Sequence, residues 1–215
     1  YFYSMRREPL VNGEVYHIYN RGTDKREVFL TKYDYKRFIN SVVEFNTEIP
    51  SWKIQDMKND KIEAQPLPED QLVDVITYCL NPNHFHLLLR QKKDFGITEF
   101  MRKVITGYTM YFNKKNERSG VLFQGKFKSA HVGSNEYLLY VSAYVNCNSE
   151  IHSINSAEDY SWCSFPEYLG KCDGIKCQKN IILDQFKDNA EYKEYALKQA
   201  SGMRDKKELE KLIIE

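Results

Sequence analysis

Apolar and polar positions alternate along some stretches of the chain and recur at helical spacing in others. Val15-Tyr16-His17-Ile18-Tyr19-Asn20 is β-branched and aromatic and is stopped by Arg21-Gly22, which predicts a first strand. From Thr31 the period changes. Thr31 is a capping residue, and Phe38, Val42 and Phe45 recur at helical spacing, predicting a helix of about four turns that ends before Pro50. Ser51 to Asp56 reads as a short strand, and Met57 to Asp70, with Pro66 and Pro68, as a loop. Leu72 to Leu80 and His84 to Arg90 are extended runs on either side of Asn81-Pro82-Asn83. Ile97 to Asn116 places Phe100, Val104, Tyr108 and Tyr111 near one helical face, and Gly120 follows as a breaker. Leu122 to Val132 alternates as a strand, and Ser134 caps a helix over Glu136 to about Asn148. Tyr192 to Gln199 and Lys206 to Ile214 read as two further helices. This succession predicts an α+β fold, an antiparallel sheet covered by helices with a helical C-terminal tail.

Composition narrows the class. Hydrophobic residues make up 42% and charged residues 28% of the 215, a balance that excludes a mostly disordered chain. No apolar run reaches the roughly 20 residues a membrane-spanning helix needs. No basic segment followed by an apolar one opens the chain, and five cysteines without a Cys-x-x-Cys pair suggest reduced thiols, so a cytoplasmic location is expected. Cys163, Cys172 and Cys177 fit no common structural zinc spacing. The net charge is only +1, yet residues 90–128 carry ten basic side chains against three acidic ones, +7, leaving −6 for the remainder. Such an asymmetry predicts one positive face, either a binding surface or simply a lysine-rich solvated one.

His84-Phe85-His86 is the most informative triplet. On a strand, side chains alternate faces, so His84, His86, Leu88 and Arg90 share one side while Phe85, Leu87 and Leu89 share the other. Two neighbouring neutral imidazoles can ligate a divalent cation, which then needs a third protein ligand from elsewhere; equally, they can be two ordinary histidines. In the helix over 136–148, Tyr137, Tyr140 and Tyr144 project at three- and four-residue spacings. Asn148 shares a face with Tyr144, while Leu138, Val141 and Val145 form a separate docking stripe. A phenol beside a carboxamide, opposite two imidazoles, would make a compact site with a nucleophile and a Lewis acid. His17, His131 and His152 show no ligand partner in the sequence and read as ordinary residues.

Five motifs recur in order: Tyr19-Asn20-Arg21-Gly22, Asn81 through Leu89, Tyr111-Phe112-Asn113, Ser119 through Ser129 and Tyr140 through Asn148. Together they resemble the REP-associated tyrosine transposases of the single-tyrosine HUH superfamily, over roughly Met5 to Gly170. Ser149 stands where that family usually has proline, and Lys126 where it usually has arginine. The resemblance implies a ferredoxin-like or RRM-like sheet with the histidine pair on a central strand. It implies a domain over residues 5–170 and a helical extension over residues 171–215. It implies Mg2+ or Mn2+ held by His84, His86 and Asn148, with Tyr144 as nucleophile and Tyr140, one turn earlier, as its rival.

The activity so implied is a metal-dependent single-stranded DNA endonuclease and strand transferase, a transposase working through a 5′-phosphotyrosine. The implied partner is single-stranded DNA bearing a palindromic hairpin, and the implied unit a monomer or homodimer. The competing expectation is a binding module that recognises hairpins without cutting. Candidate phosphate contacts are Arg21, Arg90, Lys103, Lys114, Lys115, Lys126 and Lys128, with Tyr111, Phe112 and Phe127 as candidate base-stacking rings.

Overall fold

The computed structural model describes residues 9–51 and 70–214, with side chains to residue 205. In chain order the elements are β1 (Val15–Arg21), α1 (Lys32–Glu44), β2 (Val73–Asn81), β3 (His84–Gln91), α2 (Gly96–Lys115), β4 (Lys128–His131) and α3 (Asn135–Asn146). Three four-residue helices follow, α4 (Asn148–Ile151), α5 (Phe165–Tyr168) and α6 (Asn180–Leu183), then the long α7 (Asn189–Ile214).

The strands pair antiparallel in the order β2-β3-β1-β4, the order of a ferredoxin-like sheet, so β3 and β1 are central. A central strand must be apolar where it meets packed layers, and Phe85, Leu87 and Leu89 are fully buried. The Phe85 ring lies 5.1 Å from Phe38 of α1, so these side chains point to the face covered by α1 and α2. The opposite face carries α3. Residues paired across antiparallel strands project to the same side, so the register alone groups one set of side chains there. Cys79 and Asn81 of β2 pair with His86 and His84, which pair in turn with Tyr19 and Arg21 of β1. Tyr19 pairs with Lys128 of β4.

Local chemistry fixes the ends of the elements. Thr31 and Asp34 form a reciprocal capping box at the start of α1. The Ser134 hydroxyl accepts the Tyr137 amide at 3.2 Å and starts α3. The two-residue turn Pro82-Asn83 is tied down from outside: the Pro82 carbonyl accepts the Val28 and Phe29 amides, and the Asn83 carbonyl accepts that of Gly22. The outer edge of β2 is also covered, since Leu80, Tyr78 and Val75 exchange backbone hydrogen bonds with Trp162, Ser164 and Gln178.

Three expectations change. The strand expected over 122–132 pairs regularly only at Lys128–His131, because Gly125 at φ +65° turns the chain and leaves Phe123 making one isolated bridge to Gly22. The two expected C-terminal helices are one: Tyr192, Ala196 and Ala200, four residues apart, are buried and carry α7 past Gly202 without a break. The helix expected to reach Asn148 ends at Asn146, and Asn148 opens α4. The strand expected over 51–56 and the loop over 57–70 lie, but for Ser51 and Asp70, outside the described residues.

Candidate active site

His84 and His86 sit two apart on β3, their ring centroids 5.1 Å apart and their planes nearly perpendicular. The Nδ1 atom of each faces a partner. His84 Nδ1 lies 2.6 Å from Asn83 Oδ1, whose amide nitrogen donates to the Lys25 carbonyl, so the oxygen is the end that meets the ring. An amide oxygen only accepts, which places the His84 proton on Nδ1 and a lone pair on Nε2. His86 Nδ1 lies 2.8 Å from His17 Nε2. Burial lowers His17 to a pKa of about 4. Burial, followed by its histidine neighbours His17, His84 and His152, holds His86 well below the usual imidazole value. Burial therefore favours the neutral form of both His17 and His86.

Asn148 approaches from α4, where it is fully buried. Its Oδ1 lies 3.2 Å from His84 Nε2. Two lone pairs therefore face one another, and the Asn81 amide nitrogen bridges them at 3.0 Å to His84 Nε2 and 2.5 Å to Asn148 Oδ1. Asn148 Nδ2 is buried without a hydrogen-bond partner among the described residues. The facing acceptors, His84 Nε2 and Asn148 Oδ1, are a donor pair that suits a cation. With His84 and His86 in the wall of a cleft and Asn148 buried behind His84, two imidazoles and an amide oxygen are donor types that would fit a divalent ion. Among the described residues no group of three or more His, Cys, Asp or Glu side chains could hold one. The carboxamide of Asn148 lies outside that set of residue types.

Tyr144 reaches this cluster from the last turn of α3. Its ring stands edge-on to His86 at 5.3 Å and to His17 at 5.7 Å. Burial raises its phenol above the ordinary tyrosine value, and the neighbouring Asn148 side chain offsets part of that. Tyr144 and both histidines of the pair line a cleft of about 420 Å³, with Arg21, Gln124 and Lys128 also in its wall. Tyr140 does not line this cleft; it is 41% exposed and stacks on Tyr137.

A family model described as IS200-like transposases matches residues 15–148, from the first residue of β1 to Asn148. The chain belongs to the IS200-like transposase family. Its members are transposases, enzymes that cut and join DNA. The fold of this IS200-like transposase also resembles a solved REP-associated tyrosine transposase bound to a REP hairpin. The TM-score is 0.56 at 13% identity, over 79% of this chain and 87% of the other. No curated protein matches the sequence.

The basic residues of this transposase divide by position. Arg21 and Lys128 are exposed and reach the cleft. Lys126 is exposed beside Phe127 in a separate apolar groove against α2, and Lys114 is exposed away from the cleft. Arg90 pairs with Asp74 at 2.6 Å, and Lys115 with Asp34 at 2.6 Å, neither of them in the cleft. Lys103 does not suit a phosphate contact. Its side chain is 1% exposed, and its ammonium donates to the Thr47 and Ile49 carbonyls at 2.7 and 3.0 Å, fastening the chain beyond α1. Of the candidate stacking rings, Phe112 is buried and Tyr111 is bonded through its hydroxyl to Asp34.

Sequence reasoning missed four residues of the cluster. His17 is brought to the pair by strand register, which no local motif displays, and Asn81, though inside the motif over residues 81–89, by the hairpin pairing of β2 with β3. Asn83 adjoins His84 in the turn. His152 lies one turn beyond Asn148, its ring 5.0 Å from His84. The four-residue spacing from Asn148 to His152 was the available signal for the last.

Proposed function

We propose that this transposase is a metal-dependent single-stranded DNA endonuclease and strand transferase in which Tyr144 forms a 5′-phosphotyrosine. The observation that carries the reading is the placement of the Tyr144 ring against His86, in one chain, inside a cleft with cationic side chains in its wall. Held by His84, His86 and Asn148, Mg2+ or Mn2+ would supply Lewis-acid stabilisation of the phosphate and the departing oxygen.

The protein residues do the rest. Arg21 and Lys128 attract and orient the phosphate backbone. Free tyrosine titrates near pH 10 and burial moves Tyr144 higher, so the phenol is neutral at rest and loses its proton as it attacks. The Tyr144 oxygen bonds to phosphorus as the bond from phosphorus to the 3′ oxygen breaks. That oxygen takes up a proton and leaves as a 3′-OH. A second 3′-OH attacking the phosphotyrosine reverses these steps and joins strands without ATP. The substrate is unpaired at the scissile phosphate, because in-line attack from a recessed phenol requires a strand that can enter the cleft. The REP hairpin bound to the structurally similar REP-associated tyrosine transposase supports a palindromic hairpin with single-stranded flanks as the reading for this chain too. His84, His86, Asn148 and Tyr144 come together within one chain, which supports a monomer as the cleaving unit. Residues 5–170 form the catalytic domain in this reading, and residues 171–215 its helical extension.

A labelled hairpin with single-stranded flanks, incubated with Mn2+ and run on a denaturing gel, tests this. A protein–DNA adduct is expected from the native chain and none from Tyr144→Phe. Hairpin binding without an adduct from either protein would identify a non-cleaving module instead.

A further inference from the structure

His84 and His86 are treated differently by their surroundings, and the difference points to a task for His17. A histidine that ligates through Nε2 must carry its proton on Nδ1, and something must accept that proton. For His84 the acceptor is the Asn83 side-chain oxygen at 2.6 Å. For His86 the group at Nδ1, among the described residues, is another imidazole, His17 Nε2 at 2.8 Å. Two neutral imidazoles joined through these nitrogens share one proton, so one ring donates and the other accepts. If His17 donated, His86 would turn an N–H toward the cleft and could not ligate. If His86 donates, its Nε2 lone pair faces the cleft beside that of His84.

We propose that His17 is a positioning residue that accepts the Nδ1 proton of His86 and so presents the His86 Nε2 lone pair to the cleft. His17 is well placed to hold that arrangement. It lies on the central strand β1, opposite Leu88 and diagonal to His86 on the same face. It is 9% exposed, and it is fixed between the Tyr19 ring at 5.0 Å and the edge-on Tyr144 ring at 5.7 Å. The same imidazole thereby touches both a proposed ligand and the proposed nucleophile, so its orientation also sets their spacing. The proposal rests on the metal-site reading above, but the proton position can be observed without metal or DNA.

The experiment records long-range 1H–15N correlations of the metal-free protein together with Mn2+ titrations followed by electron paramagnetic resonance. In the native chain His86 is expected in its Nδ1–H form. His17→Leu removes the acceptor, and His86 is expected to revert to Nε2–H, with Mn2+ affinity about 10- to 100-fold weaker. His17→Gln supplies an amide oxygen, and is expected to restore both the Nδ1–H form and most of the affinity. A purely structural role for His17 would not move the His86 proton, and the glutamine variant covers the case in which leucine fails to fold. An Nε2–H form in the native chain, or native Mn2+ affinity in His17→Leu, would overturn the proposal. Absence of Mn2+ binding by the native chain would overturn the metal-site reading instead, while the position of the His86 proton would still decide whether His17 accepts it.

Discussion

Lys103 and His17 show how much the neighbours of a residue decide. As one of ten basic residues in a +7 stretch, Lys103 reads as a phosphate contact. Its ammonium is instead committed to two backbone carbonyls and to Glu99 at 3.5 Å. Lys103→Met would leave those carbonyls without their donor, and is expected to lower stability in urea by about 1–3 kcal/mol while leaving DNA affinity unchanged. Loss of DNA binding without loss of stability would return Lys103 to the interface. His17 errs in the other direction: it reads as an ordinary histidine, yet lies within hydrogen-bond distance of His86. Charge counts and short motifs give the kind of residue present. They do not say which cations are already paired or which rings meet across strands.

At the level of elements, most of the secondary structure could be read from periodicity. β1, β3, α1 and α2 fall within a few residues of their expected limits, because each has a strong period and a clear cap or breaker. The errors have two sources: a local one at β4, where Gly125 turns the chain and shortens the strand, and tertiary packing at α7, carried past Gly202 by its contact with α3. The junction of α1 and α2 allows a further test. Burial alone would raise the Asp34 carboxyl, but Lys115, the Thr31 backbone and hydroxyl, and Tyr111 together outweigh it and hold it below the ordinary carboxylate value. A carboxyl held low in the fold binds its proton more readily when unfolded. Its stabilisation is therefore complete above the ordinary value near 3.8 and is lost as pH falls through the lower folded value. Asp34→Asn is expected to cost about 0.5–2 kcal/mol at neutral pH through the damaged cap, and to flatten the loss of stability below about pH 4. An unchanged acid limb in urea unfolding would remove Asp34 from this role.

For the whole molecule, a sheet in ferredoxin-like order gathers residues from β1, β2, β3, α3 and α4 onto one face, and the cationic rim belongs to that assembly rather than to the basic stretch as a whole. Replacing Arg21 and Lys128 together by glutamine is expected to weaken single-strand binding across sequences. It is also expected to reduce the slope of log affinity against log salt by about 1.4, at about 0.7 per phosphate contact. An unaltered slope would place the strand elsewhere. The histidine pair and the tyrosine were legible because local motifs name them; their mutual geometry was not, since it depends on how α3 docks over β3. That geometry is tested most directly by tandem mass spectrometry of the covalent adduct formed with a cleaved single-stranded oligonucleotide. The nucleotide is expected on Tyr144. A nucleotide on Tyr140, or cleaved DNA with no modified tyrosine at all, would contradict it.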